Sequence, residues 1–189
     1  ISGFLVFSTF VPIAFKYYGP IYAGQLGLCL AICSSAMALA SGFIAPTISK
    51  FGHLVSINKI TTAYNLMKSL TLRVVFLSTL FFFTIILAYI ILYKFDFAMI
   101  NRVLPISDLI IFFISYLFII SSLPASSFLR SFKEEPLFFI SISSGTITLF
   151  MNFLIMNLYP PFYVSISFLC INLIFIPLVF ILAFKRIKR

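Results

Sequence analysis

Six long apolar stretches, separated by short gaps that hold nearly all the basic residues, constrain this chain more than any motif in it. A helix needs roughly 20 mostly apolar residues to cross about 30 Å of hydrocarbon. Stretches of that kind lie near 1–18, 21–46, 73–93, 107–129, 137–158 and 161–184, labelled A to F below. Only 9% of residues are charged and mean hydropathy is +1.20, whereas a water-soluble domain carries about 25% charge. The runs are continuous and lack the in-out alternation of barrel strands, and a helix satisfies its own backbone in lipid. The expected fold class is all-α, a polytopic transmembrane helix bundle of about six spans.

Charge sets the expected orientation. Lys50, Lys59, Lys68 and Arg73 follow B, Arg130 and Lys133 lie between D and E, and Lys185, Arg186, Lys188 and Arg189 form the tail, ten basic residues on one side. Lys16, Lys94 and Arg102 make three on the other. The positive-inside rule puts the ten, and both chain ends, in the cytoplasm. Trp is absent, so Tyr must supply the interfacial belt. Tyr17, Tyr18 and Tyr22, then Tyr89 and Tyr93, then Tyr159 and Tyr163 all fall at expected outer boundaries. The net charge of +9 is spread along the inner side, which points to anionic lipid as a partner rather than to nucleic acid. The chain opens Ile-Ser-Gly inside an apolar run, with neither a basic n-region nor a small-residue cleavage site, which reads as a piece of a longer chain rather than a signal peptide.

Within the chain, B stands out. Gly27, Ala31 and Ser35 repeat every four residues, as do Ser34, Ala38 and Gly42, spacing that lets another helix approach closely. B is expected to be central and to end at Ala45-Pro46, whereas C, with Phe81-Phe82-Phe83, is expected to face lipid. In the gap that follows B, Ile60, Ala63, Met67 and Leu70 share one helical face, and Asn58 is placed to cap it. Residues 58–72 are thus read as a short amphipathic helix along the inner surface. Pro12, Pro124 and Pro177 interrupt A, D and F. Such breaks recur around transporter cavities, and proline is also simply commoner in membrane helices.

Chemistry-bearing constellations are scarce. No Asp, Glu, Lys, Arg or His sits at the centre of a span, and Asp108, Lys16 and Arg73 fall near interfaces. Gln25, Asn152 and Asn172 are the larger polar groups at depth, and interhelical hydrogen bonding accounts for most such residues. Cys29 and Cys33 are one turn apart, short of the four ligands of a structural metal site, and read with Cys170 as small packing residues. His53 is the one histidine, and Glu134-Glu135 suits a loop before Pro136 and E. No nucleotide motif is present. The reading is of a non-enzyme, with no catalytic residues, metal or cofactor.

Three segments carry a resemblance. Tyr18-Gly-Pro-Ile-Tyr-Ala-Gly-Gln-Leu-Gly-Leu28 resembles the start of the eighth span in polysaccharide-biosynthesis membrane proteins, the Wzx-type O-antigen or capsule repeat-unit flippases of the MOP exporter superfamily. Ala45-Pro-Thr-Ile-Ser-Lys-Phe-Gly-His-Leu54 looks like that family's loop before a short helix. Phe128-Leu-Arg-Ser-Phe-Lys-Glu-Glu-Pro136 is similar to its stretch before the eleventh span, and Ile1-Ser-Gly-Phe4 suits the start of the seventh. The absence of Trp and the abundance of Phe depart from the family. The resemblance implies that A to F form the C-terminal lobe of a two-lobe transporter in the bacterial inner membrane. Its implied task is translocation of an undecaprenyl-pyrophosphate-linked oligosaccharide, with the N-terminal lobe and a coupling cation as further partners. Lys16, Tyr22, Gln25, Arg73, Asn152 and Asn172 are the cavity residues that this placement nominates. Three rivals are carried forward. A small-molecule cation antiporter of the same superfamily should hold carboxylates at depth. A repeat-unit polymerase should have an outer loop longer than 94–106. A non-transporting six-span protein should be complete in itself.

Overall fold

The computed structural model describes residues 2–95, 100, 102–132 and 137–187, which form five helices and, among the described residues, no strand. These are α1 (Ser2–Ser56), α2 (Ile60–Lys94), α3 (Ile106–Arg130), α4 (Leu137–Leu158) and α5 (Phe162–Ile187). All five are long and apolar enough to cross a membrane, and the chain is an all-helical membrane protein. Lys133, Glu134, Glu135, Pro136, Lys188 and Arg189, with Ile1, lie outside the described residues.

α1 is not one rod. At 1.5 Å per residue it would extend about 80 Å, far beyond a bilayer. Gly19 breaks it with φ 85 and ψ 178, a backbone region open essentially to glycine alone. The limbs on either side fold back on each other. Val11 Cγ2 lies 3.8 Å from where a Cβ on Gly27 would stand, and the two residues are equidistant from the break. Pro20 opens the second limb, where its missing N–H is no loss. The break falls between stretches A and B, and it makes them an antiparallel pair.

The second limb runs beyond the boundary expected at Pro46 and continues as helix to Ser56. Proline removes one backbone hydrogen bond here. Burial of Phe51, which packs edge-on against Phe128 at 6.1 Å, favours the continuation. The segment that resembles the family loop is therefore helical. Asn58 does not cap the next helix. It adopts φ 57 and closes α1, with Lys59 N–H donating to the Leu54 carbonyl at 2.9 Å and Asn58 N–H to that of Val55 at 3.1 Å. That double bond pattern, around a residue that tolerates the left-handed region, is a Schellman ending.

Residues 58–72 are likewise not a separate surface helix. Neither Gly nor Pro interrupts 60–94, and α2 passes through without a break. Its buried side is one continuous stripe of Ala63, Met67, Leu70, Val74, Ser78 and Phe82. The apolar face read from the sequence is present, but protein covers it rather than lipid. Ala63, Met67 and Leu70 join Phe51, Ala125, Phe128, Leu129, Val179 and Ala183 in a compact core at this end of the bundle. Phe82 also departs from expectation, since it turns inward and stacks on Phe113 at 4.3 Å, while Phe83 faces outward.

The larger core fills the middle and the other end. Phe10 of α1 meets Phe168 of α5 at 5.5 Å and Phe112 of α3 at 6.4 Å, with Ala14, Leu26, Leu109 and Tyr116 around them. α1 packs against α2, α3 and α4, and α5 against α3 and α4. Exposed Phe76, Phe83, Phe139, Phe150 and Ile174 supply the surface that lipid tails cover. At the end that carries Phe51 and Asn58, the Arg186 guanidinium lies 5.6 Å from the Phe132 ring. Lys50 and Lys59 are exposed at this same end.

Gly19→Ala should destabilise the chain by about 1–3 kcal/mol, because a Cβ strains that backbone conformation. Gly24→Ala, in open helical surroundings, should be neutral or stabilise by up to about 1 kcal/mol. Thermal unfolding of both variants in detergent checks the pair.

Candidate functional site

The end of the bundle opposite Asn58 is built by two chain reversals held side by side. Tyr18 donates from its hydroxyl to the Tyr159 carbonyl at 2.7 Å, and Tyr22 to the Pro161 carbonyl at 3.4 Å. Tyr17 packs edge-on against Phe153 at 5.9 Å, and Tyr159 lies 5.4 Å from Tyr163. Two of the three aromatic clusters expected at the outer interface thus bind the Gly19 turn to the α4–α5 turn.

Beneath them lies a group that the sequence reading placed near an interface and did not nominate for a site. Asp108, in the first turn of α3, is only 3% exposed, and its Oδ1 has no hydrogen-bond partner among the described residues. Ser165 of α5 is fully buried beside it and interacts with the carboxylate through its hydroxyl. Tyr22 of α1 approaches from a third element and feels the carboxylate electrostatically. No cationic side chain among the described residues bears on Asp108. It is sealed from solvent but sits just under the end of the bundle.

Local packing explains the burial. Asp108 shares a helical face with Phe112, Ser115 and Tyr116, all buried, and Leu104 and Leu109 anchor the same turn. The α3 N-terminus favours a carboxylate by about 1 kcal/mol, whereas removing an ion from water costs several kcal/mol. The dipole does not offset the burial. The signal was available in the sequence as an acid on the i, i+4, i+7, i+8 face of D, rather than on its solvent side.

The six nominated residues do not converge on one cavity. Tyr22 is half-buried and belongs to the Asp108 cluster. Gln25 is half-buried one turn further along α1. Lys16 is exposed, with its ammonium 5.5 Å from the Tyr17 ring. Asn152 of α4 is buried with Oδ1 unpartnered among the described residues, adjacent to the Phe153 that Tyr17 touches. Asn172 donates to the Phe168 carbonyl of its own helix at 2.9 Å. Arg73 is exposed on α2, away from the rest.

A groove of about 530 Å³ lies along the second limb of α1, lined by Gly27, Ala31, Ser34, Ala38 and Ser41, with Tyr116 among the walls. Gly27 of the small-residue repeat meets Val11, but Ala31, Ser34, Ser35, Ala38 and Gly42 are exposed. Their hydroxyls bond locally, Ser34 and Ser35 to the Ala31 carbonyl and Ser41 to that of Met37. The groove is therefore a smooth, largely apolar wall. At the other end, Lys50, His53 and Ser49 line a hollow of about 410 Å³. Among the described residues, no three His, Cys, Asp or Glu side chains gather as a metal site. Cys29 and Cys33 are buried, Cys170 is exposed, and all three are free thiols.

No protein-family model, curated protein or solved structure matches this chain.

Tyr18→Phe should lower stability by about 1 kcal/mol through loss of the bond to the Tyr159 carbonyl. Tyr159→Phe, which keeps that carbonyl, should leave it unchanged. Denaturation of the two variants side by side separates the bond from general aromatic packing.

Proposed function

We propose that this chain is the C-terminal lobe of a two-lobe MOP-type flippase. It would move undecaprenyl-pyrophosphate-linked oligosaccharide units across the bacterial inner membrane in six crossings, with both ends cytoplasmic. The observation that carries the reading is the reversal at Gly19-Pro20, inside the very segment that resembles the family's eighth span. It gives stretches A and B separate antiparallel paths, which supports a reading of six crossings from five helices. The limb that follows presents a smooth face of Ala31, Ser34, Ala38 and Gly42, suited to close approach of a second lobe or of a polyprenyl chain.

The basic residues fit the same arrangement. Lys50, Lys59, Arg130 and Arg186 fall at the end that the positive-inside rule assigns to the cytoplasm, where anionic lipid and a pyrophosphate head would both be attracted. Lys16, Tyr22 and Gln25 lie along the α1 wall as polar contacts for the sugar head, with Asn152 on the neighbouring α4. Asn172 and Arg73 are weaker members of the set, the first bonded within its helix and the second on an outer face.

One observation favours the cation-antiporter alternative from the same superfamily. Buried Asp108 is the kind of carboxylate that such an exporter uses, and intramembrane acids mark ion pathways. Complementation distinguishes the readings. In a strain lacking its O-unit flippase, a full-length parent containing this chain should restore surface polysaccharide, and the chain alone should not. Rescue by the chain alone would overturn the half-transporter reading. Failure of the parent, combined with newly acquired resistance to a cationic drug, would favour the antiporter.

A further inference from the structure

We propose that the outward face between α1 and α2 holds one anionic phospholipid, its phosphate on Arg73 and Lys50 and one acyl chain in the groove beside them. Two hollows lie on this face. Toward the end that carries Asn58, Ser49, Lys50 and His53 of α1 meet Leu54 and Leu66 in the hollow of about 410 Å³. Deeper along the same two helices, Leu39 and Phe43 of α1 and Leu77, Leu80 and Phe81 of α2 line a second hollow of about 280 Å³. Helical spacing puts the two in line. Phe43, Lys50 and Leu54 follow one another on α1 at intervals of seven and four residues, and Leu66, Arg73 and Leu77 do the same on α2. Each set therefore shares one helix face, and exposed Arg73 stands between the two hollows along α2.

Depth and charge select the occupant. At roughly 1.5 Å per residue, Phe43 lies about 30 Å and Lys50 about 40 Å along the helix from Tyr22 at the other end. The first distance matches the hydrocarbon thickness, and the second reaches the far headgroup layer. The basic groups thus stand at phosphate depth, with the apolar hollow at acyl-chain depth. Among the described residues the one carboxylate side chain, Asp108, lies at the opposite end of the bundle and does not compete with a phosphate here. Arg73 offers a planar fork of donors that matches phosphate, Lys50 adds a point charge, and Ser49 and His53 add polar groups. A zwitterionic headgroup would bring an ammonium that the two cations repel. The groove suits a flexible chain rather than a partner helix, because close helix approach needs small residues, whereas Leu39, Phe43 and Leu80 are bulky and each more than half exposed. The inference rests on the membrane arrangement proposed above and not on its cargo, so loss of export and loss of this site are separate results.

Native mass spectrometry of the purified chain in neutral detergent, with dioleoyl phosphatidylglycerol or dioleoyl phosphatidylcholine added, counts bound lipid directly. Phosphatidylglycerol should fill one saturable site, with phosphatidylcholine about tenfold weaker. Arg73→Gln and Lys50→Gln should each weaken phosphatidylglycerol about fivefold, as expected for one interfacial cation, and leave phosphatidylcholine unchanged. Leu80→Gln, which makes the chain groove polar, should weaken both lipids. Lys94→Gln, at the far end of α2, removes the same charge and should bind as the wild type does. All four positions are exposed, and circular dichroism checks that each variant keeps its helices. Equal binding of the two lipids by the wild type would overturn the proposal, as would a loss in Lys94→Gln equal to that in Arg73→Gln. It would also fall if undecaprenyl phosphate displaced phosphatidylglycerol at lower concentration than phosphatidylglycerol itself, which would give the groove to the cargo. A dimer that Leu80→Gln abolishes would likewise overturn it, giving the groove to a second copy.

Discussion

The backbone reversal at Gly19 is the constraint on which the rest of the bundle depends. It turns a segment too long for any bilayer into two limbs that lie against each other, and Gly27 lets Val11 come close. Phe10 and Ala14 on the first limb then complete the core around Phe112 and Phe168. Without the turn, Tyr18 and Tyr22 could not reach the Tyr159 and Pro161 carbonyls. The groove along Ala31 and Ser34 would also lose one of its walls. One residue's conformational freedom therefore links the order of the helices, the tie across the outer end and the shape of the exposed face.

Polar economy follows from the same setting. Lipid offers no hydrogen bonds, so each hydroxyl on a span bonds its own helix or finds a protein partner. Most here take the first course, Ser115 to the Ile111 carbonyl and Thr148 to that of Ser144 among them. Asp108, buried on α3 against Ser165 of α5, and Asn152, buried on α4, are polar groups for which no bond within their own helix is seen among the described residues.

Much of the fold was legible because hydropathy over a span-length window reports directly on transfer into lipid. The long apolar runs and the gap between stretches A and B could be read that way, and the tyrosine clusters followed from the interfacial preference of their rings. Three features could not. Residues 58–72 carried the expected apolar face, but periodicity cannot say whether lipid or Phe51 and Phe128 will cover it. The missing Gly and Pro between 60 and 94 were the better guide to one continuous helix. Pro46 looked like a terminus because its backbone cost is local, whereas burial of Phe51 is a long-range gain. Asp108 was assigned to an interface by distance along the chain, and only the packing of α3 between α1 and α5 puts it inside. Among the nominated cavity residues, Tyr22 alone joins the cluster that packing creates.

The path of the first limb tests the account most directly. Single cysteines at Ser2, Ile21, Lys59 and Pro160, in a chain with the three native thiols replaced, can be labelled in whole cells with a membrane-impermeant maleimide. The account predicts that Ile21→Cys and Pro160→Cys react from outside, and that Ser2→Cys and Lys59→Cys react only after the membrane is opened. Labelling of positions 2 and 21 from the same side would show that the first limb does not cross, and would contradict the fold-back at Gly19 as a membrane arrangement.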